Sequence, residues 1–151
     1  MRSFFSYDRF EGYSKTVMQE VKPKLHTIRQ DKKNRWKAGT DIHFVINNRS
    51  KDRYQFAPII KCVSTQRIAI INTGKHPHGD YHKCMEVLVE QDSENTRFGS
   101  CHFDKDGDII YCSEWVEDLA INDGFESVKD FFSWFRTDFH GKIIHWTDLK
   151  Y

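Results

Sequence analysis

The stretch KPKLHTIRQD, residues 22–31, decides how this chain begins its fold. Apolar residues at helical spacing predict a helix over residues 9–22. Pro23 ends that helix, because proline disfavours helical backbone in the residue before it. The next residues, HTIR at 26–29, are typical of a β-strand. The stretch therefore predicts a change from helix to sheet within a few residues.

Three polar side chains of this stretch are candidates for one site. Side chains alternate between the two faces of a strand, so Thr27 and Arg29 share a face. In a continuous strand Lys24 would fall on the opposite face, and it can join the other two only from a turn after Pro23. We expect that turn, and with it a cleft beside the strand lined by Lys24, Thr27 and Arg29.

Further strands follow along the chain. TDIHFVI at 40–46 alternates apolar and polar residues, as a half-buried strand does. QFAPIIKCV at 55–63 and RIAIIN at 67–72 are expected to continue the sheet. SCHFDKDGDIIYC at 100–112 predicts a hairpin, with Asp106-Gly107 at the turn.

The last third of the chain predicts two helices and a closing strand. SEWVEDLAINDG indicates a short helix ended by Gly124. Ser127 is a suitable N-cap for a second helix, whose apolar stripe consists of Val128, Phe131, Phe132 and Phe135. GKIIHWTDLKY at 141–151 closes the sheet. The sum predicts the α+β class: a small barrel of mostly antiparallel strands flanked by two or three helices.

Length and composition suit one domain with its own core. The chain has 151 residues, of which 38% are hydrophobic and 15% aromatic, which argues against disorder. A net charge of +1 predicts no polyanion partner by itself. The distribution of charge along the chain is more informative about such a partner than the total. Acidic residues dominate 114–131, whereas basic residues dominate 22–37. The cations of that second segment are Lys22, Lys24, Arg29, Lys32, Lys33, Arg35 and Lys37.

The sequence indicates a cytoplasmic protein without a membrane partner, because it has no apolar run of transmembrane length and no signal-peptide core. Its four cysteines are then expected to be reduced thiols. A zinc site is a further alternative, but the spacing of its candidates matches no common framework, so no metal or cofactor is expected. Those candidates are His76, His78, His82, Cys84 and Cys101.

Four ordered segments resemble a known family: KLHTIR, RWKAGTDIHF, LAINDGFESVKDFFSWF and GKIIHWTDLKY. Together they are similar to the ASCH domain, a relative of the PUA-like RNA-binding barrels. The resemblance covers roughly residues 3–72 and 105–151 of a single domain spanning 1–151, and it implies that 73–99 is an insertion. It implies a PUA-like β-barrel that binds RNA or a nucleotide in a cleft beside the KLHTIR strand.

One branch of that family is enzymatic, and the resemblance extends to it. Small bacterial members remove the acetyl group from the exocyclic amine of acetylated cytidine, using a K-x-x-T-x-R motif and a later acid. Lys24, Thr27 and Arg29 match the motif, and Asp123 falls where the family has Glu. If these side chains converge, Lys24 would take the hydroxyl proton of Thr27, whose oxygen would attack the acyl carbon. Asp123 would shuttle a proton to the leaving amine, and Arg29 or backbone N–H groups would stabilise the oxyanion.

Binding without chemistry is the leading expectation, and its ligand-binding candidates are Lys24, His26, Thr27, Arg29, Arg35 and Trp36. The cations would contact phosphates and the indole would stack on a base, although Trp36 suits an apolar cap equally well. Structural roles are the alternative for Lys24, as a solvated lysine, and for His26 and His145, as internal hydrogen-bonding groups. A protein partner bound through 73–99 is a third possibility.

Overall fold

The computed structural model describes residues 22–75 and 79–151. The helix expected over 9–22 lies outside them, apart from its last residue. Within the described ranges the helices are α1 (Glu114–Asn122) and α2 (Val128–Trp134). The strands in chain order are β1 (His26–Arg29), β2 (Asp41–Ile42), β3 (Val45–Ile46), β4 (Tyr54–Gln55), β5 (Ile60–Lys61), β6 (Ser64–Gly74), β7 (Lys83–Glu90), β8 (Thr96–Phe103), β9 (Ile109–Cys112) and β10 (Phe139–His145).

Six strands form one antiparallel sheet in the order β1-β10-β6-β7-β8-β9. The α+β class with mostly antiparallel strands and two helices is therefore confirmed. A closed barrel is not found. Closure requires the two end strands of a sheet to pair, and β1 and β9 do not pair with each other in the described part of the chain.

Both helices cover one face of the sheet. Strand side chains alternate between this helix face and the opposite face, and those of Met85, Val87 and Val89 on β7 are fully buried against the helices. Gly99 allows the closest approach, because a Cβ at this position would lie 2.7 Å from side-chain atoms of Trp115 and Val116. The predicted α2 stripe is confirmed as core, and its buried members are Val128, Phe131, Phe132 and Phe135.

The local signals around the helices and the hairpin are also confirmed. Gly124 follows α1 with a φ of +94°, and Gly107 turns the β8–β9 hairpin with a φ of +83°. Ser127 caps α2, since its hydroxyl accepts the backbone N–H of Asp130 at 3.1 Å. Each of these helix ends and turns therefore forms at the glycine or serine that was predicted for it from the sequence.

Residues 73–99 supply part of the sheet itself. They contain all of β7 and the first residues of β8, and β7 lies between β6 and β8. Removing 73–99 would therefore remove an interior strand together with any partner surface.

The segment between β1 and β6 covers the opposite face of the sheet at the β1/β10 end. It was expected to continue the sheet, which is wrong, because β2 pairs with β5 and β3 pairs with β4 in two separate ribbons. Ile42, Cys62 and Ile144 are buried there as a second cluster. The partly buried side chains packed on this second cluster are Trp36, Phe44, Ile60 and Trp146.

The prediction of four reduced thiols is wrong for one pair. Cys101 and Cys112 face each other across β8 and β9 with their Cα atoms 4.0 Å apart, and they form a disulfide. Strand register, which the spacing of cysteines does not reveal, brings them together. Cys62 and Cys84 are buried free thiols.

Neither helix of the described residues has the length and hydropathy needed to cross a bilayer.

Candidate functional site

Lys24 lies on the helix side of the sheet, at the mouth of a polar network. Its ammonium is 3.7 Å from Oδ1 of Asp123, and its side chain is 44% exposed. The Lys24 stem packs on Gly124, with Cδ 3.3 Å from the point that a Cβ would occupy. Both contacts fix Lys24 beside the C-terminal end of α1.

Asp123 joins the end of α1 to β1. Its buried carboxylate accepts the backbone N–H of Ile28 at 3.0 Å, and Oδ1 is 3.3 Å from Nδ1 of His26. The backbone N–H of Leu25 donates to the carbonyl of Asn122 at 2.8 Å. A buried carboxylate is costly unless it has such partners, so Asp123 acts first as a structural joint.

His26 continues this network inward to Tyr151. Its Nε2 is 2.8 Å from the Tyr151 hydroxyl, which accepts a hydrogen bond from Nδ2 of Asn122 at 2.9 Å. That hydroxyl still has its own proton to donate, and Nε2 of His26 can accept it. Burial raises the pKa of Tyr151 to about 12, so the phenol keeps its proton at neutral pH. The order Asp123–His26–Tyr151 has the form of a proton relay, but His26 is fully buried and no ligand reaches it.

A second buried histidine completes the polar cluster. Nε2 of His145 is 2.9 Å from Oε1 of Gln66, which also accepts the backbone N–H of Tyr151 at 3.0 Å. Burial, with the nearby His26 adding to it, lowers the pKa of His145 to about 4. His145 is therefore neutral at physiological pH. Both histidines have the internal structural role that was one of the expectations for them.

Thr27 and Arg29 lie on the other face of β1. His26 and Ile28 are buried on the helix side, so strand alternation turns Thr27 and Arg29 away from it. Neither side chain has a hydrogen bond or ion pair within residues 22–75 and 79–151.

The structure thus brings Lys24 and Asp123 together and separates both from Thr27 and Arg29. The expected irregular segment before β1 is present, but it carries Lys24 to the helix side. The contacts of Asp123 with Lys24 and with the backbone of Ile28 hold it there. The convergence of amine, hydroxyl and guanidinium that was expected beside the strand is therefore not formed.

Arg29 instead belongs to a row of cations across three neighbouring strands. On β10, Lys142 lies directly opposite Arg29, and on β6, Arg67 lies directly opposite Lys142. We call Arg29, Lys142 and Arg67 the cationic row. Directly opposite side chains on one face have Cβ atoms about 5 Å apart, and like charges at that spacing destabilise a sheet. The row therefore reduces stability in the absence of an anion.

Two carboxylates partly offset the repulsion between the cations of the row. Lys142 pairs with Asp31 at 3.1 Å, and both side chains are largely buried. The guanidinium of Arg67 is 3.6 Å from Glu90 but is 78% exposed. The ion pair at the centre of the row is thus enclosed, whereas Arg67 and Arg29 face solvent at its two ends.

The loop after β1 holds Asp31 beneath the row. Burial alone would raise the pKa of Asp31, but the backbone N–H groups of Trp36 and Arg35, each 2.9 Å from a carboxylate oxygen, and Lys142 hold that pKa below its ordinary value. The ammonium of Lys142 also donates to the side chain of Asn34 and to the carbonyl of Trp36. Asp31 is therefore charged at neutral pH, and its contacts hold both carboxylate and ammonium in place.

An open cleft of about 490 Å³ lies over two members of the row, Lys142 and Arg67. This size falls within the range of roughly 300–1,000 Å³ that is usual for ligand sites. The residues that line the cleft are Gln30, Asp31, Lys32, Asn34, Arg67, His140, Gly141 and Lys142. A second cleft of about 370 Å³ shares Asn34, Arg67 and Lys142 with the first. Cations, amides and an imidazole here offer hydrogen-bond donors to an anion.

Arg35 and Trp36, also expected to bind a ligand, flank this cleft. Arg35 is exposed, and its backbone bonds to Asp31. The indole of Trp36 is half-buried against the second cluster. Trp36 therefore covers an apolar cluster, the second of the two roles expected for it.

Sequence reasoning identified Arg29 and missed Lys142 and Arg67. Both missed residues occupy strand positions on the face away from the helices, which is an ordinary place for a cation. Their significance comes from the register of β10 between β1 and β6, a pairing of segments far apart in the chain.

The His, Cys, Asp and Glu side chains of the described residues form no group of three or more that could hold a metal ion. His76 and His78 lie outside those residues. Comparisons of the chain with family models, curated proteins and solved structures find no match.

Proposed function

We propose that this protein binds RNA or a nucleotide through the cationic row and the cleft above it. The observation that carries the proposal is the register Arg29–Lys142–Arg67, which aligns three cations across adjacent strands. Strands lie about 4.8 Å apart, so the row spans about 10 Å. A chain of phosphates supplies negative charge over such a length and offsets the repulsion within the row.

The surroundings of the row support an anion with a polar body. Lys32 adds a further cation, and Asn34, Gln30 and His140 line the cleft with groups that can bond to a sugar or base edge. The motif resemblance to the ASCH domain points to the same class of ligand and to the same strand. In this proposal Arg29 keeps its expected ligand-binding role, while Lys24 and Thr27 have no place in the primary contact.

Salt-dependent binding tests the proposal directly. A fluorescein-labelled single-stranded U12 RNA is titrated with the protein, and anisotropy gives Kd at several KCl concentrations. Each phosphate contact contributes about −0.7 to the slope of log K against log salt, so contacts with the three exposed cations of the site, Arg29, Arg67 and Lys32, give a slope near −2. Arg67→Gln and Arg29→Gln are each expected to weaken binding and to make the slope shallower by about 0.7.

Arg136→Gln is the matched control, because Arg136 is exposed and lies outside the row. This variant is expected to bind with unchanged affinity and slope. Equal effects of all three substitutions, or no binding by the wild-type protein, would overturn the proposal.

An amidohydrolase acting on acetylated cytidine is the second candidate, and the ion pair of Lys24 with Asp123 favours it. This candidate requires Thr27 to reach an acyl group that Lys24 also approaches, whereas strand alternation places Thr27 on the face of β1 opposite Lys24. Incubation with acetylcytidine tests it by release of acetate, which Lys24→Ala and Thr27→Ala must each abolish. Absence of acetate above a buffer control would exclude it without affecting the binding proposal.

A further inference from the structure

The β3–β4 ribbon carries an apolar face that the fold leaves uncovered. Ile46 lies opposite Tyr54 in the register, and the backbone N–H of Phe56 donates to the carbonyl of Phe44 at 3.1 Å. These four side chains therefore share one face of the ribbon, which we call the ribbon face. Tyr54 is 61% exposed and Phe56 is 57% exposed. Adjacent exposed aromatic groups commonly mark a binding surface.

The inner end of the ribbon face is anchored in the protein. Phe44 packs edge-on against Trp146, with ring centroids 5.2 Å apart, and lies 6.1 Å from Phe56. Phe44 and Trp146 both belong to the second cluster, as does Trp36, whose carbonyl accepts the ammonium of Lys142 at 2.8 Å. The ribbon face and the cationic row therefore both contact residues of the second cluster, the first through Phe44 and the second through Lys142.

The outer end of the ribbon is basic. Its loop, NNRSKDR at 47–53, carries Arg49, Lys51 and Arg53 against one acid, Asp52. Within the described residues, the side chains of these three cations make one hydrogen bond, from Arg53 Nε to Asn48 at 3.2 Å, and no ion pair. All three charges are thus available to an anionic partner.

We propose that the ribbon face is a stacking platform for single-stranded nucleic acid, with bases on Tyr54 and Phe56 and phosphates on Arg49, Lys51 and Arg53. This inference rests on the proposed function, which it extends from one anion to a longer strand. Residues two apart on a strand lie about 6.6 Å apart, so the two rings can take successive splayed bases. Aromatic groups beside cations are the usual means of holding a single strand. The local charge favours this occupant over a second copy of the same basic loop.

The test compares three probes: U12 RNA, UMP and a 12-base-pair RNA duplex. Tyr54→Ala and Phe56→Ala are each expected to lower U12 affinity by about 5- to 160-fold, the range given by base stacking. The salt slope should stay unchanged, because no cation is removed. UMP and duplex affinities should also stay unchanged, since neither probe presents successive unpaired bases.

Trp134→Ala is the matched control, because Trp134 is 74% exposed on α2 and lies away from the ribbon. If U12 contacts both surfaces, six phosphate contacts give the wild-type protein a slope near −4, and the triple variant Arg49→Gln, Lys51→Gln, Arg53→Gln should return it to about −2. This variant keeps the test valid if either aromatic variant fails to fold.

The outcomes separate this inference from the proposed function. Loss of U12 binding in Arg67→Gln with wild-type affinity in both aromatic variants would overturn the platform and leave the proposed function standing. Loss only in the ribbon variants would support the platform and overturn the cationic row. No binding of U12 by the wild-type protein would overturn both. Binding to phosphatidylserine vesicles that depends on Tyr54, with U12 affinity independent of it, would also overturn the platform.

Discussion

The carboxylate of Asp123 accepts the backbone N–H of Ile28 at 3.0 Å, across 95 residues of sequence. This bond fixes the end of α1 against β1 and determines which face of the strand Lys24 approaches.

Asp123→Ala should destabilise the protein by about 1–3 kcal/mol, because it leaves the buried N–H of Ile28 without an acceptor. Asp123→Asn keeps a carbonyl oxygen at the same place and should cost less. Urea unfolding monitored by circular dichroism gives both values. Asp118→Ala, at an exposed position of α1, is the control. An equal loss of stability in Asp123→Ala and Asp118→Ala would contradict the structural role of Asp123 between α1 and β1.

Stability should fall as the pH drops from about 6.5 to about 4. The pKa of His145 is depressed to about 4 in the folded state. Between pH 6.5 and 4, therefore, His145 binds a proton in the unfolded chain but stays neutral in the folded one. Neutral His145 therefore contributes about 3 kcal/mol to the free energy of unfolding above pH 6.5, and this contribution is lost progressively as the pH falls toward 4. Urea midpoints measured across this range test the expectation.

His145→Asn should flatten that pH profile, because the amide can donate to Gln66 but does not titrate. His43→Asn, at an exposed site, should retain it. A wild-type profile that is flat between pH 6.5 and 4 would refute the depressed pKa of His145.

The thiol count should distinguish two of the four cysteines. Under denaturing conditions without reductant, a thiol reagent should detect two groups, Cys62 and Cys84, and after reduction it should detect four. Closing an 11-residue separation should contribute about 2–3 kcal/mol in the chain-entropy model, so reductant should lower the urea midpoint. Four reactive thiols before reduction would show that the Cys101–Cys112 bond is absent in solution.

Gly99→Ala should destabilise the core, because the added Cβ would overlap Trp115 and Val116 of α1. Overpacking of this kind costs about 1–3 kcal/mol. Ser100→Ala changes the adjacent residue on the opposite face and should be nearly neutral. Thermal unfolding of the pair gives the difference, and similar melting temperatures would argue against close contact of α1 with β8.

The elements found from the sequence are those defined by short-range patterns. Gly124 ends α1 and Ser127 caps α2 because a turn or a cap depends on a few neighbouring residues. The order of the sheet could not be found this way. The position of β10 between β1 and β6 depends on pairing of Lys142 with residues 113 and 75 positions earlier in the chain. Local periodicity carries no information on that pairing.

The residues of the candidate site likewise divide into those that local patterns identify and those that depend on contacts between distant parts of the chain. Arg29 was identified because its strand and its face follow from alternation. The expected approach of Lys24 to Thr27 failed because a distant carboxylate, Asp123, holds Lys24 on the other side. Lys142 and Arg67 gave no signal beyond being outward cations on strands.

The end strand β9 presents one side without a backbone partner among the described residues, and its side chains at Ile110 and Tyr111 are mostly exposed. Such a border can template the addition of a strand from another molecule. Concentrated preparations should therefore self-associate through intermolecular β-pairing. Ile110→Lys should keep the protein monodisperse in light scattering without altering its affinity for U12.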